Sequence, residues 1–263
     1  MLNRSKKVSG PSPLPPSGDP SLLSAHQQLE LFKTKRLSPL DVLKAQIARI
    51  ERYEPAINAC TFRHFDAALA AAKRSEARYR SGDARPLEGI TVAIKDEYDR
   101  AGWTVTAGSK VREHHTSEAN HPVVDKLIET GAVLHVQTTA PEYYLVAVTW
   151  SELWGVTRNP WNPDCTPGGS SGGSAAALGA GMATLAIGSD MGGSVRIPCA
   201  LNGLYGSNPP YGRIASPDPS ALVPHASPGP LARLSRPDPV AERHVRPGAG
   251  LPCRSAPEAR TAA

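Results

Sequence analysis

Residues Cys165–Pro198 read CTPGGSSGGSAAALGAGMATLAIGSDMGGSVRIP, and how this run is interpreted governs the topology of the whole chain. A Gly/Ser loop standing alone reads as a flexible linker. Here the loop leads directly into an alanine-rich apolar segment, and a second small-residue cluster follows at Gly188–Pro198. Two such clusters joined by one compact segment read as two walls of one site. The segment between them is expected to be a helix over about Gly173–Met182 followed by a strand at Thr184–Ile187.

The same alternation continues on either side. Ile90, Val92 and Ile94 in GITVAIKD alternate with smaller residues, which predicts a buried strand whose last residue before the turn is Lys95. A helix at Pro122–Thr130, a stop at Gly131 and a strand at Val133–Gln137 follow. Upstream, Ser21–Lys35 is expected to be helical. The next helix starts with Ser38 as N-cap and Pro39 at its first position, and buries Leu43, Ile47 and Ile50. A short strand at Ile57–Phe62 and an Ala-rich helix at Phe65–Tyr79 come after it. Strands alternating with helices indicate an α/β class, a β-sheet core flanked by helices.

Composition limits the functions available. The net charge of +5 is spread along the 263 residues without a dense Lys/Arg block, which argues against nucleic acid as a partner. The longest nearly apolar run, Ala175–Gly188, is too short and too rich in glycine to span a bilayer, so no membrane is expected. Cys60, Cys165, Cys199 and Cys253 show no C-x-x-C spacing. Free thiols in a cytoplasmic protein, with neither a metal site nor a cofactor, are the expectation.

Chemistry concentrates in the two loops. The first lacks the lysine that a phosphate-binding P-loop requires. Gly168–Gly172 matches G-x-S-x-G literally, but the preceding RNPWNPDCTP has no strand pattern, whereas a nucleophile elbow follows a strand. What remains is a loop whose glycines permit unusual backbone angles and hold serine hydroxyls in place. In the second loop, Gly192 and Gly193 leave amides uncovered just before Ser194, as an oxyanion hole needs. No histidine lies near either loop, and His114, His115 and His121 sit in a polar stretch with no distinguishing spacing. A lysine is the alternative base, and Lys95 at the tip of an apolar strand is the one whose burial would lower its pKa. Ser171 and Ser174 read as caps at the helix start, Asp96 and Glu97 as solvated, and Cys165, Cys199, Trp154 and Trp161 as packing residues.

GITVAIKDEYDRAGWTVTAGS, RNPWNPDCTPGGSSGGSAAALGAGM and GSDMGGSVRIPCALNGLYG resemble, in order, successive pieces of the amidase signature family. The resemblance implies a catalytic set of Ser194 as nucleophile, Ser170 as a bridging serine on a cis peptide bond, and Lys95 as ultimate base. It also implies oxyanion amides at Met191, Gly192, Gly193 and Ser194, with Asp190, Arg196 and Ser171 supporting them. The implied substrate is a small-molecule amide, the implied reaction hydrolysis through an acyl-enzyme, and a homodimer is the candidate assembly. The alternatives are a catalytically silent remnant and the glutamine-hydrolysing component of an amidotransferase.

The chain departs from that family in length, since members usually continue well beyond this point with more sheet and most of the substrate pocket. The likeness spans about 21–234, read as a partial amidase domain. Residues 1–20 are expected to be disordered. SNPPYGRIASPDPSALVPHASPGPLARLS reads as loop throughout. Ser235–Ala263, with five prolines, five arginines and three large aliphatic residues, is expected to have no packed fold, and its texture matches the product of a shifted reading frame.

Overall fold

The computed structural model describes residues 18–215 and 227–233. Its centre is a mixed sheet of six strands. They are β1 (Cys60–Arg63), β2 (Thr91–Lys95), β3 (Val133–Thr138), β6 (Leu185–Asp190), β7 (Leu204–Gly206) and β8 (Ser227–Arg233), in the order β1-β3-β2-β6-β8-β7. A separate hairpin pairs β4 (Trp150–Ser151) with β5 (Gly155–Val156). The helices are α1 (Ala25–Lys33), α2 (Pro39–Ile57), α3 (Phe65–Ser81), α4 (Pro122–Glu129), α5 (Gly172–Gly179) and α6 (Arg196–Asn202). β3, β2 and β6 run parallel, with Ile94 level with both Gln137 and Ile187.

The period-two pattern of β2 sorts the two sheet faces. Ala93 joins the cluster built on α5, with Val136, Ala186 and Leu231. Val92 and Ile94 face the other way, against Val123 and Val124 of α4, with Leu134 and Ile187. Helix α5 is buried along Gly172–Leu178, and its alanines make the close approach possible. At Gly173 even a methyl group would come within 2.5 Å of the backbone nitrogen and oxygen of Thr139 on the strand side. The run of small residues is thus fixed by the distance between helix and sheet.

Helix α2 starts as its sequence predicts, with the Ser38 side chain accepting from the Asp41 amide at 3.1 Å. It continues to Ile57, however, and the strand expected from Ile57 begins only at Cys60. The cause is Glu54, a buried carboxylate on the last turn. It accepts from the amides of Ala59 and Cys60 at 3.0 and 2.7 Å and ends the helix against the strand. At the N-terminal end, α1 is shorter than the helix expected over Ser21–Lys35. Ser24 and Gln27 form a reciprocal capping box there. Of the stretch 1–20, residues 1–17 lie outside the described set. Asp19 is placed, pairs with Arg49 at 2.8 Å and caps a 3-10 turn at Pro20–Leu22.

The largest correction concerns SPGPLAR. Expected to be loop, it is strand β8, antiparallel to both β6 and β7. Its prolines, Pro228 and Pro230, share one parity along the strand. The Pro230 carbonyl accepts from Ser207 at 3.2 Å, which places that parity on the β7 side. Their missing donors therefore face a partner only three residues long, while Gly229 and Leu231 turn their amides to β6. Helix α6 and strand β7 have no counterpart among the elements expected from sequence. The tail 235–263, including Cys253, lies outside the described residues.

Candidate active site

Lys95 closes β2 and is completely buried. Its ammonium nitrogen lies 2.8 Å from Ser170 Oγ and 2.8 Å from Ser189 Oγ, 3.0 Å from Glu97 Oε2, and 4.7 Å from the centre of the Tyr144 ring. Burial pushes its pKa below the ordinary lysine value, and the carboxylates of Glu97 and Asp190 oppose that shift without cancelling it. Three of these neighbours, Ser189, Glu97 and Tyr144, escape the sequence reading. Ser189 lies one residue before the end of β6, which runs parallel and next to β2, in line with the rule that sites gather at the carboxyl ends of parallel strands.

Ser170 comes from the first loop. It is 1% exposed and follows a cis peptide bond from Gly169. Gly169 sits under the chain at Ala147–Val148, where a Cβ would meet the Val148 nitrogen at 2.6 Å. Thr149 clamps the loop. Its hydroxyl donates to the Gly168 carbonyl at 2.8 Å and accepts from the Gly172 amide at 3.1 Å. Ser171 occupies the N-cap position of α5, as expected, but its hydroxyl makes no capping bond, and Ser174, expected to cap as well, lies inside the helix. The Ser174 hydroxyl pairs with Thr138 Oγ1 at 2.7 Å and with the Ile187 carbonyl at 3.2 Å. Ser171 bonds both the amide and the carbonyl of Ser189 at 3.3 Å, and its own amide donates to the Ser194 carbonyl at 3.0 Å. These serines fasten α5 and both loops to the strand ends.

The second loop turns around Asp190. Its carboxylate accepts from the amides of Gly193, Val195 and Arg196 at 2.8, 3.1 and 3.1 Å, and from the Arg196 guanidinium at 3.0 and 2.8 Å. Burial alone would raise the Asp190 pKa; Arg196 and the three amides outweigh it and hold the group below the usual carboxylate range. Of the four amides expected to face an oxyanion, that of Gly193 is thus engaged by Asp190. Those of Met191, Gly192 and Ser194 make no hydrogen bond among the described residues. Ser194 is half-buried, and its hydroxyl makes none among them either.

Asp96, expected to be solvated, is instead fully buried. It accepts from the amide of Thr106 at 2.9 Å and from the Thr106 hydroxyl, anchoring the turn after Lys95. Burial raises its pKa despite these donors. Glu97 is 23% exposed and takes the Ser189 hydroxyl at 2.5 Å in addition to Lys95, so it too departs from the solvated reading. Trp154 donates to Thr106 at 3.0 Å and Trp161 to the Asn202 carbonyl at 2.9 Å, so both also carry polar bonds. Cys199 is buried, and Cys165 is half-buried. Lys110 and Lys126 are exposed and paired with Glu152 and Glu129. His121 caps α4. Among the described residues no helix is long and apolar enough to cross a membrane.

A buried amine touching Ser170 and Ser189, beside a turn that carries Ser194 and uncovered amides, has the parts of an acyl-transfer site. Comparison with known proteins agrees with that class. The amidase family model matches residues 41–233, and the chain belongs to the amidase signature family. Over 193 residues it is 40% identical to a glutamyl-tRNA(Gln) amidotransferase chain of Geobacter metallireducens, an alignment covering 73% of this chain and 40% of that protein. Among solved structures it is similar to a bacterial aryl acylamidase (TM-score 0.76, 33% identity, covering 80% of this chain and 44% of the other). It is also similar to 6-aminohexanoate cyclic dimer hydrolase (TM-score 0.74, 32% identity, 81% and 44%). The chain spans less than half the length of these relatives.

Proposed function

We propose that this chain carries the catalytic half of an amide hydrolase, with Lys95, Ser170 and Ser194 as a proton relay and nucleophile. The observation that carries the reading is the 2.8 Å contact between Lys95 Nζ and Ser170 Oγ, made where both groups are shut away from water. A neutral Lys95 accepts the Ser170 proton as Ser170 accepts that of Ser194. The Ser194 oxygen then bonds to the amide carbon. Negative charge developing on the carbonyl oxygen falls to the uncovered amides of Met191, Gly192 and Ser194, and the Gly193 amide joins them if it leaves Asp190. Collapse of the adduct breaks the carbon–nitrogen bond, and the relayed proton returns to the departing amine. Water then attacks the acyl-enzyme, one proton passing back to Ser194, and carboxylate leaves.

Likeness to the amidotransferase chain supports a second reading, in which the amide is glutamine and the ammonia is passed on. Two measurements decide between these readings and a silent chain. The first is labelling by a fluorophosphonate probe, expected on the wild type and absent from Ser194→Ala. The second is ammonia or amine release from glutamine and from aliphatic and aryl amides. Absence of both label and release refutes the hydrolase reading, and release from glutamine alone favours the second.

A further inference from the structure

The relay described above does not use Glu97, yet this carboxylate pairs directly with the buried amine. Oε2 is 3.0 Å from Lys95 Nζ and 2.5 Å from Ser189 Oγ, and Ser189 Oγ is itself 2.8 Å from Lys95. Amine, hydroxyl and carboxylate thus form a closed triangle that leaves Ser170 outside it. We infer that Glu97 is a positioning residue that holds Lys95 as an ammonium ion in the free protein and thereby sets the pH at which the lysine can act as a base.

The other groups around the amine leave this role to Glu97. Asp190, at the end of β6, has its carboxylate taken by Arg196 and three amides. The Asp96 carboxylate is turned to Thr106. Tyr144 presents its ring face, which also favours a cation. Burial pushes the phenols of Tyr98 and Tyr144 well above their usual value and keeps them neutral. Farther out, burial lowers the pKa of His121, which packs on Tyr98. Asp99 accepts from Ser117, and Arg112 acts on the Tyr144 phenol rather than on Lys95. Glu97 is also the partly exposed member of the ion pair, which gives a proton on the shielded amine a way to water.

The role rests on the reading of Lys95 as the base, and two readouts on the same samples separate the claims. In the 263-residue chain labelled with carbon-13 and nitrogen-15 at lysine Cε and Nζ, the Lys95 resonance, identified by its loss in Lys95→Arg, is titrated. Removing the carboxylate charge in Glu97→Gln is expected to lower the Lys95 midpoint by about one pH unit or more, and Glu97→Asp is expected to restore most of it. Glu97→Ala serves as the second neutral variant should Glu97→Gln fail to fold by circular dichroism. A midpoint unmoved in the neutral variant, or displaced equally in Glu97→Asp, overturns the inference. Fluorophosphonate labelling of Ser194 should become half-maximal at correspondingly lower pH in the neutral variant. No label at any pH in the wild type, with the Lys95 midpoint still shifted, overturns the hydrolase reading while Glu97's hold on the lysine stands.

Discussion

The two walls of the site are built from similar residues and supported very differently. The first, around Ser170, is enclosed on every side: α5 lies behind it, the Ala147–Val148 backbone lies over Gly169, and its serines are bonded to strand ends. The second, around Ser194, turns on the Asp190 carboxylate, with the Ser171 amide on the Ser194 carbonyl and Val195 buried in the core. Beyond it Met191, Leu201 and Tyr205 are exposed by 58, 48 and 63%. An apolar pocket of about 410 Å³ opens along β6, β8 and β7, lined by Val92, Leu185, Ile187, Tyr205, Pro230 and Leu231. Burial therefore fixes the base and the bridging serine, whereas the loop of the nucleophile is anchored by Asp190, by the Ser171 amide and by the buried Val195 and is open on its outer flank. Hydrogen bonds exposed at one side are more easily exchanged with water than packed side chains are displaced.

Three substitutions put that contrast to the test. Asp190→Ala leaves the amides of Gly193 and Val195 and the Arg196 guanidinium without their acceptor. It is expected to cost about 3 kcal/mol in urea unfolding and to abolish labelling of Ser194. A loss under about 1 kcal/mol with labelling intact would mean that the turn holds without its carboxylate. Gly173→Ala tests the first wall by packing, since the added methyl meets the buried backbone of Thr139, just past β3. The better helix propensity of alanine offsets part of the clash, and a net destabilisation of about 2 kcal/mol is expected in the same assay. Leu201→Ser, on the open flank of the second wall, should change stability by less than about 0.5 kcal/mol. A larger loss would show that this flank is packed in solution.

Legibility in the sequence follows the range of the interactions. The N-cap of α2, β2 ending at Lys95, and helix α4 leading into β3 are readable because each depends on neighbours within a few residues. β8 is not, because two prolines argue against a strand until one knows which side its short neighbour occupies. Ser194 stands out through its glycine setting and Lys95 through its strand, whereas Ser170 is singled out from its neighbouring serines only by the family resemblance. Asp96 and Glu97 look solvated in sequence and are not. Adjacent residues at the end of a strand point in different directions, and only the folded chain shows that Thr106 and Lys95 await them.

The alternation of elements through β6, the buried face of β2 and the candidacy of Lys95 and Ser194 are therefore properties of the sequence alone. They follow from periodicity and from the conformational limits of glycine and proline. Tertiary structure decided that an amine on β2, a serine before α5 and a carboxylate after Lys95 meet within 3.0 Å. It decided this because the positions, up to 75 residues apart, are set by strand register and helix packing rather than by any local preference of the chain.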